Sequence, residues 1–310
     1  MMLEIVPLVR HLLPGLLQSG RPTVACIRTT RPKYLVFDSD VTRPACVVDF
    51  GPADRLLRVN QLLSELHHRV AGGVPRSLCC SPWQDKMYVH IQEGLPGVPW
   101  FRVSDGLTTD ADWRRLLGRA VTAMLRLHTA VSEVPAWTGC VNVQAELAQQ
   151  VRLLELRHIS LSALARRRVE EWGEVFASSD SRPGIWQHGD FSLNNLLVST
   201  ESLAVIDFDE FGSTLMPLHD AFGLALSLPL SQEERCPLSR IDCVRACVEQ
   251  NLTDGTIAVE HLPGLLMHHL LLRINQCHGL ERRAALRRIL LDWVENLACT
   301  PETFFGDLTR

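Results

Sequence analysis

The chain is almost without lysine. Of its 31 cationic residues only Lys33 and Lys86 are lysines, the rest being arginines. Any chemistry that requires a lysine therefore has two candidates. Formal charge is −4 with a pI near 6.3, so no global basic field exists to draw in nucleic acid or an anionic membrane. No apolar run approaches the ~18 residues needed to span a bilayer. The N-terminus Met1-Met2-Leu3-Glu4-Ile5 lacks a basic leader, and Arg10 and Pro14 interrupt its apolar stretch, which argues against a signal peptide. A soluble, cytoplasmic protein is the expectation. Ten cysteines are present, yet no Cys-x-x-Cys pair occurs. Cys79-Cys80 are adjacent, Cys243 and Cys247 lie four apart on an expected helix, and six stand alone, so a zinc site is not expected. The vicinal histidines His67-His68 and His268-His269 point to different helix faces and make poor chelators.

Apolar residues make up 46% of the chain and charged residues 21%, an ordinary globular composition with material for a large core. Runs of β-branched and aromatic residues predict strands over 23–29, 33–37 and 45–50, separated by turn-like segments. Gly51-Pro52 opens a helix striped by Leu56, Leu57, Leu62, Leu63 and Leu66, which Gly72-Gly73 ends. A strand pair follows, its second member at 87–91, and then the Gly/Pro segment Glu93-Gly-Leu-Pro-Gly97. Beyond it helical periodicity dominates: 112–128, 143–176 as one or two helices, and most of 241–297. A single β-like island, 196–198 and 203–206, interrupts the helices. The expected fold class is α+β, a small antiparallel β-rich lobe at 1–92, a hinge at 93–97 and a larger helical lobe at 98–310. Such a division favours a ligand cleft at the junction.

The densest polar motifs flank that island. His188-Gly-Asp-Phe-Ser-Leu-Asn-Asn195 places a carboxylate five residues before an asparagine, and Ile206-Asp-Phe-Asp-Glu-Phe-Gly212 follows twelve residues later. Phosphoryl transfer asks for this set: one carboxylate to take or orient the proton of the attacking hydroxyl, and an amide oxygen with a second carboxylate to hold magnesium against nucleotide phosphates. Asp190 suits the first role, Asn195 and Asp207 the second.

These residues resemble the aminoglycoside phosphotransferase and choline kinase family, which has a two-lobed protein-kinase-like fold. The matching stretches are His188-Gly189-Asp190, Asn195 and Ile206-Asp207-Phe208-Asp209, with Leu127-His128, Leu95-Pro96-Gly97 and Pro217-Leu-His-Asp220 in support. The resemblance implies an ATP- and Mg2+-dependent kinase of a small hydroxyl compound, acting on neither nucleic acid nor membrane. It implies Asp190 as base, Asn195 and Asp207 as metal ligands, and adenine held by backbone near Gln92, Glu93 and Leu95. Asp220 would steady the catalytic loop through backbone N–H groups, with His188 as a supporting, loop-packing residue and His128 structural. Asp209 is either an outer metal acid or a solvated turn residue.

The N-terminal half departs from the family pattern. Its third strand should end Val-Val-Lys, the lysine pairing with phosphates, but reads Val47-Val48-Asp49. The glutamate that partners that lysine should fall near Val59 or Asn60, neither of them acidic. The first turn, Thr29-Thr-Arg-Pro32, has no glycine with which to wrap phosphates. Three readings follow. A cation from elsewhere takes over, with Lys33 at the start of the second strand or Arg31 before it. Alternatively the donor sits differently or is a different compound. Or the chain binds a nucleotide or metabolite without catalysis. The acceptor is not legible, although the small acidic spot Glu233-Glu234 gives little support to a polycationic one.

Overall fold

The computed structural model describes residues 4–27, 31–70, 72–84, 86–176, 182–200, 202–231, 236–279 and 281–309. Glu233, Glu234, Thr29 and Thr30 lie outside them. The chain divides into two compact units, one formed by Met1–Gly106 with Asn194–Asp209, the other by Leu107–Leu193 with Glu210–Arg310.

The first unit opens with a helix that the strand-dominated reading of this region omitted, α1 (Ile5–Leu12). Pro7 lies in its first turn, where a missing N–H costs nothing. An antiparallel sheet follows, built from β1 (Thr23–Ile27), β2 (Lys33–Phe37), β3 (Cys46–Pro52), β4 (Ser77–Pro82) and β5 (Met87–Glu93), in the order β1-β2-β3-β5-β4. Between β3 and β4 runs α2 (Ala53–Arg69); Gly51 and Pro52 belong to β3, and the helix begins one residue later.

Strand periodicity sorts the sheet into two faces. Tyr34, Val36, Cys46, Val48, Val89 and Ile91 point one way and pack on Ile5, Leu8 and Val9 of α1. The register pairs Lys33 with Asp49 and Asp49 with His90. These three polar residues therefore form one row across β2, β3 and β5 on the other face. The buried stripe of α2, Leu56, Val59, Leu62, Leu63 and Leu66, completes the unit's second apolar layer. After β5 come β6 (Val98–Pro99) and α3 (Trp100–Val103). Strands β9 (Leu196–Val198) and β10 (Leu203–Val205) make a hairpin, and Val98 pairs with Val198.

The second unit is helical. Thr109 and Asp112 form a reciprocal cap at the start of α4 (Asp110–Ser132), which satisfies two N–H groups that the helix cannot. The periodic stretch 143–176 resolves into α5 (Val143–Leu156) and α6 (Ala163–Phe176). A short ribbon pairs β7 (Thr138–Val141) with β8 (Arg182–Ile185) and leads into the motif at 188–195. Among the described residues α7 (His219–Ser231), α8 (Arg240–Thr253), α9 (Leu262–Gln276), α10 (Ala284–Cys299) and the short α11 (Glu302–Phe305) follow.

Candidate functional site

In the first unit the hairpin β9–β10 brings Asn195 and the Ile206-Asp207 motif together. Ile206 N–H donates to Asn195 O at 2.9 Å, so the residues that open and follow the hairpin share one end of it. Asp207 has φ = +67°, a left-handed conformation that aspartate tolerates better than most residues. Asp207 is met by Lys33, whose Nζ donates to Oδ1 at 2.7 Å and lies 3.9 Å from Asp209 Oδ2. Burial opposes the ammonium, but Asp207 and Asp209 outweigh it and raise Lys33 above its ordinary value.

Asp49, which the sequence reading left facing phosphates as a bare carboxylate, is neutralised. Arg55 in the first turn of α2 donates from Nη1 to Asp49 Oδ2 at 2.9 Å and from Nη2 to Oδ1 at 3.2 Å. The same Nη1 reaches Asp209 Oδ1 at 2.9 Å. Strand β3 and α2 are thus joined by an ion pair whose signs are opposite to the lysine–glutamate pair that the resemblance implied. Burial raises the Asp49 carboxyl against the pull of Arg55. Asp209 is not a solvated turn residue. It is mostly buried and accepts from Arg31 Nη1 at 3.3 Å as well. Burial raises its carboxyl, yet Lys33, Arg55 and Arg31 together hold it below the usual range.

Arg55 was missed, although it left a signal. Arg55, Val59, Leu62 and Leu66 fall at helical spacing on one stripe, and the three apolar members are buried. An arginine on a buried stripe requires a buried anion. The position expected to carry a glutamate holds Asn60, whose Oδ1 accepts from Ser77 Oγ at 2.6 Å.

Gln92 and Glu93 end β5, and Leu95 is buried just beyond. Glu93 N–H donates to Arg76 O at 2.8 Å and Gly94 N–H to Ala45 O at 3.3 Å. A Cβ on Gly94 would meet Pro44 O at 1.8 Å, so only glycine fits this approach. Lys86 is exposed in the β4–β5 turn.

In the second unit Asp220, at the start of α7 and fully buried, accepts from His188 N–H at 2.7 Å and Gly189 N–H at 3.0 Å. His128 Nε2 lies 2.9 Å from Asp220 Oδ2. Burial alone would raise this carboxyl; the bond to His128 and the neighbouring imidazoles instead bring it down to about 2. Gly189 has φ = +83°, and a Cβ there would lie 2.3 Å from Glu210 O. The His188 ring is buried edge-on against Phe191, 5.7 Å between centroids. Asp190, 27% exposed, is met by Arg273 of α9, with Nη2 2.8 Å from Oδ1. Arg273 is a second arginine that motif reading missed. It is the one arginine or lysine in a helix buried on nearly every side, so it too required an anion.

Among the described residues no group of three or more His, Cys, Asp or Glu side chains is arranged to hold a metal. The donors Asn195 and Asp207 do match magnesium, which takes one or two carboxylate or amide oxygens from protein and the rest from phosphate and water.

Residues 27–237 match the model of the phosphotransferase enzyme family, APH. The chain belongs to that family. Solved structures share its α+β kinase-like fold. A choline/ethanolamine kinase family protein from Mesorhizobium loti is 17% identical over 100% of this chain and 99% of its own, with a TM-score of 0.62. The GDP and kanamycin complex of APH(2″)-IIIa is 16% identical over 96% and 99%, with a TM-score of 0.60. A glucosamine kinase in complex with glucosamine, ADP and inorganic phosphate is 17% identical over 94% and 84%, with a TM-score of 0.56. No curated protein matches the chain. Among the described residues no helix is long and apolar enough to cross a membrane.

Proposed function

We propose that the protein transfers a phosphoryl group from a nucleoside triphosphate, ATP by preference, to the hydroxyl of a small molecule. The observation that carries this reading is the junction of Asn195 and Ile206-Asp207 at one end of the β9–β10 hairpin, with a buried-side lysine on the carboxylate. Asn195 and Asp207 would hold magnesium, which would supply positive charge to the donor phosphates. Lys33, 2.7 Å from Asp207, would donate to those phosphates in the role that a third-strand lysine has elsewhere in the family. Arg55 removes the repulsion that Asp49 would exert on them. With the N–H groups of Glu93 and Gly94 committed within the sheet, hydrogen bonding to the adenine edge falls to the backbone at Leu95. Asp190 takes the hydroxyl proton, on a loop whose backbone Asp220 fixes.

Removal of a positioned base costs ~10²–10⁴ in rate. Asp190→Asn should abolish turnover while nucleotide binding stays near wild type; turnover within a few-fold of wild type would take Asp190 out of the mechanism. Asp207→Ala should remove the magnesium-dependent part of nucleotide stabilisation in a thermal-shift assay.

A second reading, nucleotide or metabolite binding without transfer, draws on the fact that Asp190 and Asp207 are both engaged by cations. It requires that no acceptor yields a phosphorylated product and that the nucleotide shift survives Asp207→Ala.

A further inference from the structure

One stripe of helix α9 carries His269, Arg273 and Gln276, spaced four and three residues apart, and meets the 188–195 loop directly through Arg273. His269 Nδ1 lies 3.3 Å from His219 Nδ1, and His219 Nε2 lies 3.3 Å from Gly189 O. Arg273 Nη2 holds Asp190 Oδ1 at 2.8 Å, while Nη1 donates to Gln276 Oε1 at 3.0 Å and approaches Gly189 O at 3.5 Å. The sequence of α9, LPGLLMHHLLLRINQ, contains no carboxylate, and Arg273 is its one arginine or lysine. Every polar group that this helix offers beside Asp190 is therefore neutral or cationic.

The Arg273 side chain keeps 19% of its surface exposed, and it reaches solvent beside the carboxylate that is to receive the proton. A guanidinium has five N–H donors in a planar fork that suits carboxylate or phosphate. The contacts above use three, which leaves donors on Nη2 and Nε. Asp190 cannot give its full lone-pair density to a hydroxyl while it accepts from this fork. An acceptor with its own anionic group would replace Asp190 on the guanidinium, keep that cation paired and release the carboxylate to accept from the hydroxyl. A cationic acceptor would instead bring an ammonium against a guanidinium in a partly buried place, a like-charge contact that this wall does nothing to offset.

We infer that the acceptor is an anionic hydroxyl compound whose carboxylate or phosphate group is bound by Arg273 next to the hydroxyl presented to Asp190. The assignment of a reacting hydroxyl rests on the proposed transferase function; the anion site itself does not.

The test uses charge-matched sets: glycerol, D-glycerate and glycerol 3-phosphate; glucose, gluconate and glucose 6-phosphate; with choline and kanamycin as cationic comparators. Binding to the full chain is read by thermal shift and calorimetry without nucleotide, and transfer by initial rates with ATP and Mg2+. In at least one set the anionic member should bind tenfold or more tightly than its neutral parent, and the stronger of carboxylate and phosphate identifies the group. Arg273→Gln should bring that ratio to within twofold, and Arg273→Lys should keep part of it. Asp190→Asn, which frees the guanidinium, should tighten anion binding several-fold, whereas loss of a merely structural brace would not. In rates, Arg273→Gln should raise KM for the anionic acceptor ten- to a hundred-fold with kcat changed less than a few-fold. Equal or tighter binding of neutral or cationic members overturns the inference. So does anion preference that survives Arg273→Gln, or its absence from both wild type and Asp190→Asn. Anion binding through Arg273 with no compound phosphorylated upholds the site and removes the transferase reading instead.

Discussion

The ion pair between β3 and α2 should reveal itself when only one of its members is removed. Arg55 makes two bonds to Asp49, at 2.9 and 3.2 Å, one to Asp209 at 2.9 Å and one to Phe50 O at 3.1 Å. Asp49 is 8% exposed, so Arg55→Met strands a carboxylate that water cannot reach. Breaking a buried pair from one side costs about 3–5 kcal/mol, which urea unfolding would read as a lower midpoint at unchanged slope. The double variant Asp49→Leu/Arg55→Met removes both charges, while Asp209 keeps Arg31 and Lys33. Replacing a buried pair by apolar groups is often close to neutral, so the double variant should return to within about 1–2 kcal/mol of wild type. Burial already raises the Asp49 carboxyl. Without Arg55 the folded state binds that proton more readily still, and the single variant's deficit should shrink as pH falls from 8 to 5. Restoring a third-strand lysine alone, Asp49→Lys, would place it against Arg55 and should do at least as much damage as Arg55→Met. A single-variant cost below ~1 kcal/mol, or a double variant no better than the single, would show that Arg55 is not what makes Asp49 tolerable.

What could be read in the sequence was what is contiguous in it. Strands β2, β3 and β5 announce themselves by β-branched and aromatic residues, and the motifs at 188–195 and 206–212 carry their chemistry within a few residues. Helix α1 escaped because its eight residues include a proline and follow no long apolar period; its burial comes from the sheet it packs on. The ribbon β7–β8 escaped for another reason. Thr138-Gly-Cys-Val141 has little strand propensity, and its partner begins at Arg182, so the pairing is set by tertiary packing. Arg55 lies 154 residues from Asp209 and Arg273 lies 83 residues from Asp190 in sequence; what hid them is that an arginine's role depends on the anion it faces. Arg55 nevertheless sits on a stripe that is otherwise apolar and buried, and Arg273 is the one arginine or lysine of a largely buried helix. A search for charged residues on the buried face of an amphipathic helix would have found them. The missing third-strand lysine was legible as an absence, whereas its consequence, a pair of reversed sign, needed the packing of α2.

Lys33→Ala should weaken nucleotide binding ten- to a hundred-fold, since a charge-assisted hydrogen bond contributes ~1.5–3 kcal/mol; a change under threefold by calorimetry would hand the phosphates to arginines. Asp220→Ala leaves the N–H groups of His188 and Gly189 unpaired in the interior, at about 1–3 kcal/mol each. Asp220→Asn, with one acceptor oxygen, should fall between it and wild type in urea unfolding. The pH dependence of stability should separate two buried groups. Burial brings His219 down to about 4 from 6.5. The unfolded chain therefore binds a proton below 6.5 that the folded chain refuses until about 4. Stability is complete above 6.5 and declines through this window by about 3 kcal/mol for His219, then levels off. His90, also held at about 4, adds to the same decline. Asp220 has the opposite charge logic. Its folded value of about 2 lies below the ordinary 3.8, so its contribution is present above 3.8 and is lost as pH falls towards 2. His219→Gln should accordingly reduce the decline between 6.5 and 4 to the part that His90 contributes and leave the acid limb, whereas Asp220→Asn should do the reverse. A wild-type stability that stays level from pH 7 to 5 would mean that these imidazoles accept protons in the folded chain. The loop at 188–195 would then rest on charged histidines, not on neutral ones packed beneath Gly189.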